Sequence, residues 1–193
     1  MAELEDAQAA KAAAKSAALG SLAGADVDEE KNIIIADVES ESIVDGPGFR
    51  FAIYTQGCPH ACPGCHNPQT HSFEGGTAVS AKQLLHFAHK SPLQKGITLT
   101  GGDPFCQAKA LIPFVEMARA DGYNIWAYSG YLYEELLQME DASKLLGLCD
   151  VLVDGPFEED KKSLELKWKG SANQRCIDLN ATREAGELVL FAD

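Results

Sequence analysis

Long apolar runs are missing from this sequence. No stretch approaches the ~18 consecutive apolar residues that a membrane-crossing helix needs, and no membrane partner is expected. The leading residues Met1–Asp6 are acidic and lack the apolar segment of a secretory leader, so the expected compartment is cytoplasmic. Positive charge is scarce: 16 Lys and Arg face 29 Asp and Glu, a net charge of −13. That balance argues against nucleic acid as a partner, because displacing counterions from phosphates takes a basic face. Cysteine is too sparse for a disulfide scaffold, with six in 193 residues. In a reducing compartment that usage favours metal or redox chemistry. Residues 1–30 hold no aromatic, and their seven acids outnumber two lysines. This Ala-rich stretch has helix propensity but no wide apolar stripe. It is expected as a disordered tail or frayed helix, with a single folded domain over 31–193.

Hydrophobic content of 46% and this length suffice for one self-standing core. Ile33-Ile34-Ile35 reads as a first short strand. Gly46-Pro47-Gly48 is turn chemistry, and Arg50–Gln56 reads as a strand broken by Gly57. Asn67 to Thr77 reads as loop. Ser80 can cap a helix over 81–90. Strand 96–100 ends at Gly101-Gly102-Asp103-Pro104, before a helix over 108–120 that Pro113 would disturb in its middle. Strand 124–128 leads to Ser129-Gly130-Tyr131 and a helix over 131–146. Strand 150–153 leads to Asp154-Gly155-Pro156-Phe157, and further strands fall near 176–179 and 188–191. Alternation of strand and helix means βαβ units and an α/β fold with a mainly parallel sheet. Ligands collect at the C-terminal strand ends of such sheets, and four unusual clusters fall there.

The densest cluster is Cys58-Pro-His-Ala-Cys62-Pro-Gly-Cys65-His66, three thiols in eight residues. Crowded thiolates at a strand end hold a soft metal or an iron–sulfur cluster. A closed zinc site needs four ligands. The run therefore recruits a distant fourth, with Cys106 or His66 as candidates, or leaves a position open. Cys106, Cys149 and Cys176 are scattered and read as core or incidental.

Cys58, Cys62 and Cys65 at this spacing resemble the radical S-adenosylmethionine superfamily. The resemblance implies an incomplete (βα) barrel and a [4Fe–4S] cluster on those three residues, whose fourth iron is chelated by S-adenosyl-L-methionine. Gly101–Pro104 matches the superfamily's Gly-Gly-acid-Pro segment, which implies that Gly101, Gly102 and Asp103 hold the methionine amino group. The plain alternative is a structural turn with Asp103 as a helix cap. The resemblance also puts Gly64, Cys65 and His66 along the adenosyl ligand. Val44 to Arg50, Cys62–Pro68, Tyr128–Tyr131, Val151–Phe157 and Gly170–Arg175 narrow it further. Together they resemble the activating enzyme of anaerobic (class III) ribonucleotide reductase. Activases of pyruvate formate-lyase usually carry an aromatic where Gly64 stands, and Ala172 departs from a common serine.

That resemblance implies an oxidoreductase that makes a 5′-deoxyadenosyl radical. The radical would install a glycyl radical on the large reductase subunit, with flavodoxin or ferredoxin as electron donor. No catalytic side chain is named beyond the cluster ligands. Activation of another glycyl-radical enzyme and a non-catalytic zinc or iron–sulfur protein remain as alternatives. Arg50 meets a carboxylate or pairs with one of many acids, and Trp126 and Tyr128 read as core. The basic run Lys161, Lys162, Lys167, Lys169 and Arg175 reads as a solvated face or a docking surface.

Overall fold

The computed structural model describes residues 33–192, so the expected N-terminal tail lies outside the described residues. Among the described residues, seven strands follow one another: β1 (Ile33–Ser42), β2 (Arg50–Thr55), β3 (Thr77–Val79), β4 (Gly96–Gly101), β5 (Asn124–Tyr128), β6 (Val151–Asp154) and β7 (Arg175–Asp178). The same described residues form five α-helices: α1 (Ala81–Ala88), α2 (Ala108–Ala120), α3 (Tyr133–Leu136), α4 (Glu140–Leu148) and, after β7, α5 (Leu179–Ala185). The sheet runs β3-β1-β2-β4-β5-β6-β7. Its centre, β2-β4-β5-β6, is parallel. The pairings of β1 with β2 and β3, and of β6 with β7, are antiparallel. The architecture is mixed α/β with an open sheet.

Side chains alternate across the parallel strands, as the pleat requires. Phe51, Ile53, Ile97, Leu99, Ile125, Ala127 and Leu152 enter the main core with Leu84, Leu111, Phe114 and Leu145 from the helices. α1 packs on α2, and α2 on α4. Trp126, Val151 and Val153 form a second, smaller cluster with Trp168 and Phe191. Burial on both faces explains the near-continuous apolar strands. Parallel register then sets the C-terminal ends of β2, β4, β5 and β6 along one edge, with Thr55 opposite Gly101 and Tyr128 opposite Val153.

Several elements differ from expectation. β1 runs ten residues rather than three, because its polar half, Asp37–Ser42, pairs with β2 along the sheet. Thr77–Val79 is a short strand within a stretch read as loop at its start. The helix expected over 131–146 is two helices. Asp154 accepts the Tyr133 N–H at 2.7 Å, fixing where α3 starts. Glu140 and Asp141 suit the N-terminal turn of α4 rather than a helix middle. Pro113 lies inside α2; the residue whose carbonyl loses its bond, Lys109, is exposed to water. The strand expected over 188–191 is a single bridge, Ile177 to Leu190. Before it comes α5, unread because only Leu179 and Thr182 of its seven residues are buried.

Candidate metal centre

β2 delivers the chain to the cysteine loop, and a set of backbone bonds fixes where it lands. Gly57 N–H donates to Thr70 O at 2.8 Å and Cys58 N–H to His71 O at 3.0 Å. The Gln56 side chain donates to Ser72 O at 2.6 Å. Gln107 accepts the Ile34 N–H and donates to both Ile34 O and Gln56 O, each at 2.8 Å. The loop's two ends are thereby held against β1 and the start of α2.

Cys58, Cys62 and Cys65 are all free thiols, each partly exposed. Burial pushes the Cys58 thiol up, and the Asp103 carboxylate and Cys62 add to that. The backbone N–H groups of His60 and Ala61 work the other way, donating to the Cys58 sulfur. Asn67 N–H points at Cys65 Sγ, 3.4 Å away. N–H donors aimed at sulfur favour the thiolate and are among the features that tune clusters. Among the described residues, no three His, Cys, Asp or Glu side chains converge closely enough to hold a single metal ion. The donor set is three soft sulfurs on one loop with N–H support, and it fits a [4Fe–4S] cluster.

The end of β4 lies against this loop with no room to spare. Gly101 has φ +93°, and a Cβ there would stand 2.5 Å from Tyr54 Cα. A Cβ on Gly102 would overlap the Gly57 carbonyl oxygen. Only glycine lets the two backbones meet, which they do through Gly102 N–H to Thr55 O at 2.8 Å and Asp103 N–H to Gly57 O at 2.9 Å. Asp103 is buried and caps the 3-10 turn Pro104–Gln107, accepting the Phe105 N–H at 3.0 Å. Its other oxygen accepts from Ser129 Oγ at 2.9 Å and the Gly130 N–H at 3.0 Å, and lies 2.8 Å from His60 Nε2. The turn and cap that stood as the alternative reading of this segment are present, and they join the ends of β4 and β5 to the cysteine loop.

Gly64 has φ +69°, and a Cβ there would meet the Glu159 carboxyl carbon at 2.7 Å. His66 packs on Phe157 with ring centroids 5.0 Å apart. The segment after β6 thus flanks the third cysteine, and a cavity of about 500 Å³ opens between Pro63 and Phe157–Asp160. Cys106 is exposed in the 3-10 turn; burial and the charges of Asp103 and Cys58 hold its thiol up at about 11. Cys149 is fully buried at the end of α4 and pushed up to about 12 by burial. Cys176 sits on β7.

The structure separates the remaining candidates. Among the described residues, Arg50 forms no ion pair with a carboxylate. Its guanidinium donates to Thr98 Oγ at 2.6 Å, Ile97 O at 2.8 Å and Asn124 O at 3.0 Å, and lies 5.3 Å from the centre of the Trp126 ring. It seals the opposite end of the sheet, and burial lowers its pKa to about 10. Trp126 is core, and Tyr128 packs beside it. The basic run is largely engaged internally: Lys161 pairs with Glu158 at 2.5 Å, and Lys169 donates to Gln174 O. Arg175 bridges Glu134 and Asp154. Sequence reasoning passed over His60, which stands between two cysteines, and Glu159. For His60 the signal was its position inside the motif.

Three free thiols on one loop, at the C-terminal edge of a parallel sheet, fit the class of single-cluster iron–sulfur proteins. Residues 44–177 match the family model described as "4Fe-4S single cluster domain". Relatives named anaerobic ribonucleoside-triphosphate reductase-activating protein align over 140 residues, 68% of this chain. The one from Pasteurella multocida (strain Pm70) is 38% identical over 89% of its length. That of Escherichia coli (strain K12) is 36% identical over 90%, and that of Enterobacteria phage T4 is 37% identical over 85%. The chain belongs to this family of activating proteins.

Proposed function

We propose that this chain activates an anaerobic ribonucleoside-triphosphate reductase by installing a glycyl radical on its large subunit. Family membership supports the partner. The observation that carries the chemistry is the loop of three free thiols, with N–H groups aimed at two of the sulfurs, held against the backbone of Gly101 and Gly102. Cys58, Cys62 and Cys65 would hold the [4Fe–4S] cluster. Gly64, Cys65 and His66 would line S-adenosyl-L-methionine, and the Gly101–Asp103 segment would receive its ammonium. When bound, the cluster and S-adenosyl-L-methionine supply one-electron cleavage to methionine and a 5′-deoxyadenosyl radical. The protein's part is to fix the three sulfurs, to keep one face of the cluster open, and to limit solvent around it.

The open sheet supports reading the fold as an incomplete (βα) barrel. A closed barrel would exclude a loop of a second protein, and here the edges β3 and β7 remain apart in the strand order. A flavodoxin or ferredoxin in the cytoplasm is the proposed reductant; among the described residues no helix is long and apolar enough to cross a membrane. Anaerobic reconstitution tests the proposal through iron, sulfide and zinc content and 5′-deoxyadenosine release. Electron paramagnetic resonance then follows a glycyl radical on a reductase subunit or on a formate-lyase. Radical on the reductase is expected. Radical on the lyase alone would move the target, and one zinc per chain without cleavage would overturn the enzyme reading.

A further inference from the structure

His60 stands inside the cysteine motif, yet no ligand role falls on it. Its Nε2 lies 2.8 Å from Asp103 Oδ2. The same oxygen accepts from Ser129 Oγ and the Gly130 N–H, and Oδ1 accepts from the Phe105 N–H. An ionised carboxylate has about four lone-pair sites and only accepts. Three of its partners converge on Oδ2 and one on Oδ1, at a residue 1% exposed, so the carboxylate is committed to these loops. Two further contacts hold the imidazole. Tyr131 packs edge-on with centroids 4.4 Å apart, and a Cβ on Gly130 would overlap the ring.

We infer that His60 and Asp103 form a latch that positions the cysteine loop, and that the Asp103 carboxylate serves this latch rather than the ammonium of S-adenosyl-L-methionine. The ammonium is left to backbone acceptors of the Gly101–Asp103 segment. The cofactor half of this inference rests on the proposed function; the latch is a property of the chain without its cluster. Both residues are positioning residues. One carboxylate ties three loops together, those after β2, β4 and β5, so the sulfurs keep their spacing before iron arrives.

The test has two arms. In the cluster-free protein, kept reduced, mass spectrometry follows alkylation of Cys58 and Cys62 against Cys176 as internal reference. His60→Phe and Asp103→Asn should each speed labelling about 5–10-fold, the loss of one buried charged hydrogen bond. The double variant should be no faster than the faster single, because both break one link. His60→Gln, which keeps a donor near the Nε2 position, should return the rate to within about twofold of the unmodified chain. Unchanged labelling in His60→Phe overturns the latch. If thermal unfolding shows that Asp103→Asn does not fold, His60→Phe with Ser129→Ala carries the same cycle.

In the reconstituted protein, equilibrium dialysis gives the S-adenosyl-L-methionine affinity. Asp103→Asn that retains its cluster should bind within about threefold of the unmodified protein, and His60→Phe should alter the reduced cluster's resonance line shape in the same way. A loss beyond about tenfold, with labelling unchanged, makes Asp103 a direct ligand and overturns the inference. Should the unmodified chain take neither cluster nor S-adenosyl-L-methionine, the proposed function fails while the labelling arm still decides the latch.

Discussion

Cys62 and Cys149 are the same residue type in opposite settings, and the difference is testable. Cys62 is partly exposed on a loop that carries two further free thiols, Cys58 and Cys65. Cys149 is fully buried, with its S–H directed at Leu145 O, 3.3 Å away. Cys62→Ala should abolish cluster binding, read as iron per chain, and leave the unfolding temperature of the cluster-free protein nearly unchanged. Cys149→Ala should keep full iron content and cost about 1 kcal/mol of stability through lost packing. Equal iron loss in both would count against the ligand assignment. Cys106 makes a sharper point, since exposure alone would make it reactive. Burial of the sulfur and the nearby charges of Asp103 and Cys58 hold its thiol near 11. A raised thiol pKa means less thiolate at neutral pH. At pH 8 it should carry about a hundredfold less thiolate than an ordinary cysteine, and the reactive form is the thiolate. In the cluster-free protein its alkylation rate should climb about tenfold per pH unit and level off only near 11. A plateau by pH 9 would contradict this.

Elements form where local chemistry and burial agree, and α5 shows what happens when burial is thin. Asp178 caps it, accepting the Ala181 N–H at 2.9 Å, and Gly186 ends it at φ +70°. These are the signals of a helix start and stop, yet no apolar stripe lies between them to announce a helix. The cap should therefore matter more here than in α2, which buries Leu111, Phe114 and Val115. Asp178→Ala should cost about 1 kcal/mol, seen as a lower midpoint in denaturant with little change in slope. A cost under about 0.3 kcal/mol would mean that packing of Leu179 alone holds the helix. The same contrast explains which elements were legible. β4, β5 and α2 fell within a residue of expectation because their apolar patterns are dense. The break at 137–139 was not legible, because it depends on Asp154 reaching across from another strand to fix Tyr133.

At the scale of the whole molecule, the parallel sheet puts different tasks at its two ends. The C-terminal edge gathers the cysteine loop, Gly101–Asp103 and Ser129–Gly130, and sequence order alone placed these together because strand exits in a parallel sheet share an edge. What order could not supply was how they join. The carboxylate of Asp103 reads as a ligand in isolation, and its four partners come from three separate loops. At the other end Arg50, Gly96 and Asn124 stand in register across β2, β4 and β5. There Arg50 spans three strands with donors that a lysine cannot reproduce, since its fork serves Thr98, Ile97 and Asn124 at once. Arg50→Lys should leave buried carbonyls unpaired and cost about 2–4 kcal/mol, lowering the unfolding midpoint by about 5–15 °C. Because it lies at the far end, 5′-deoxyadenosine released per loaded cluster, measured well below that midpoint, should stay within about twofold of the unmodified protein. Cys62→Ala should give the reverse pattern, stable and inactive. An Arg50→Lys protein that melts normally but fails to cleave would place Arg50 in the chemistry and break the division between the two ends.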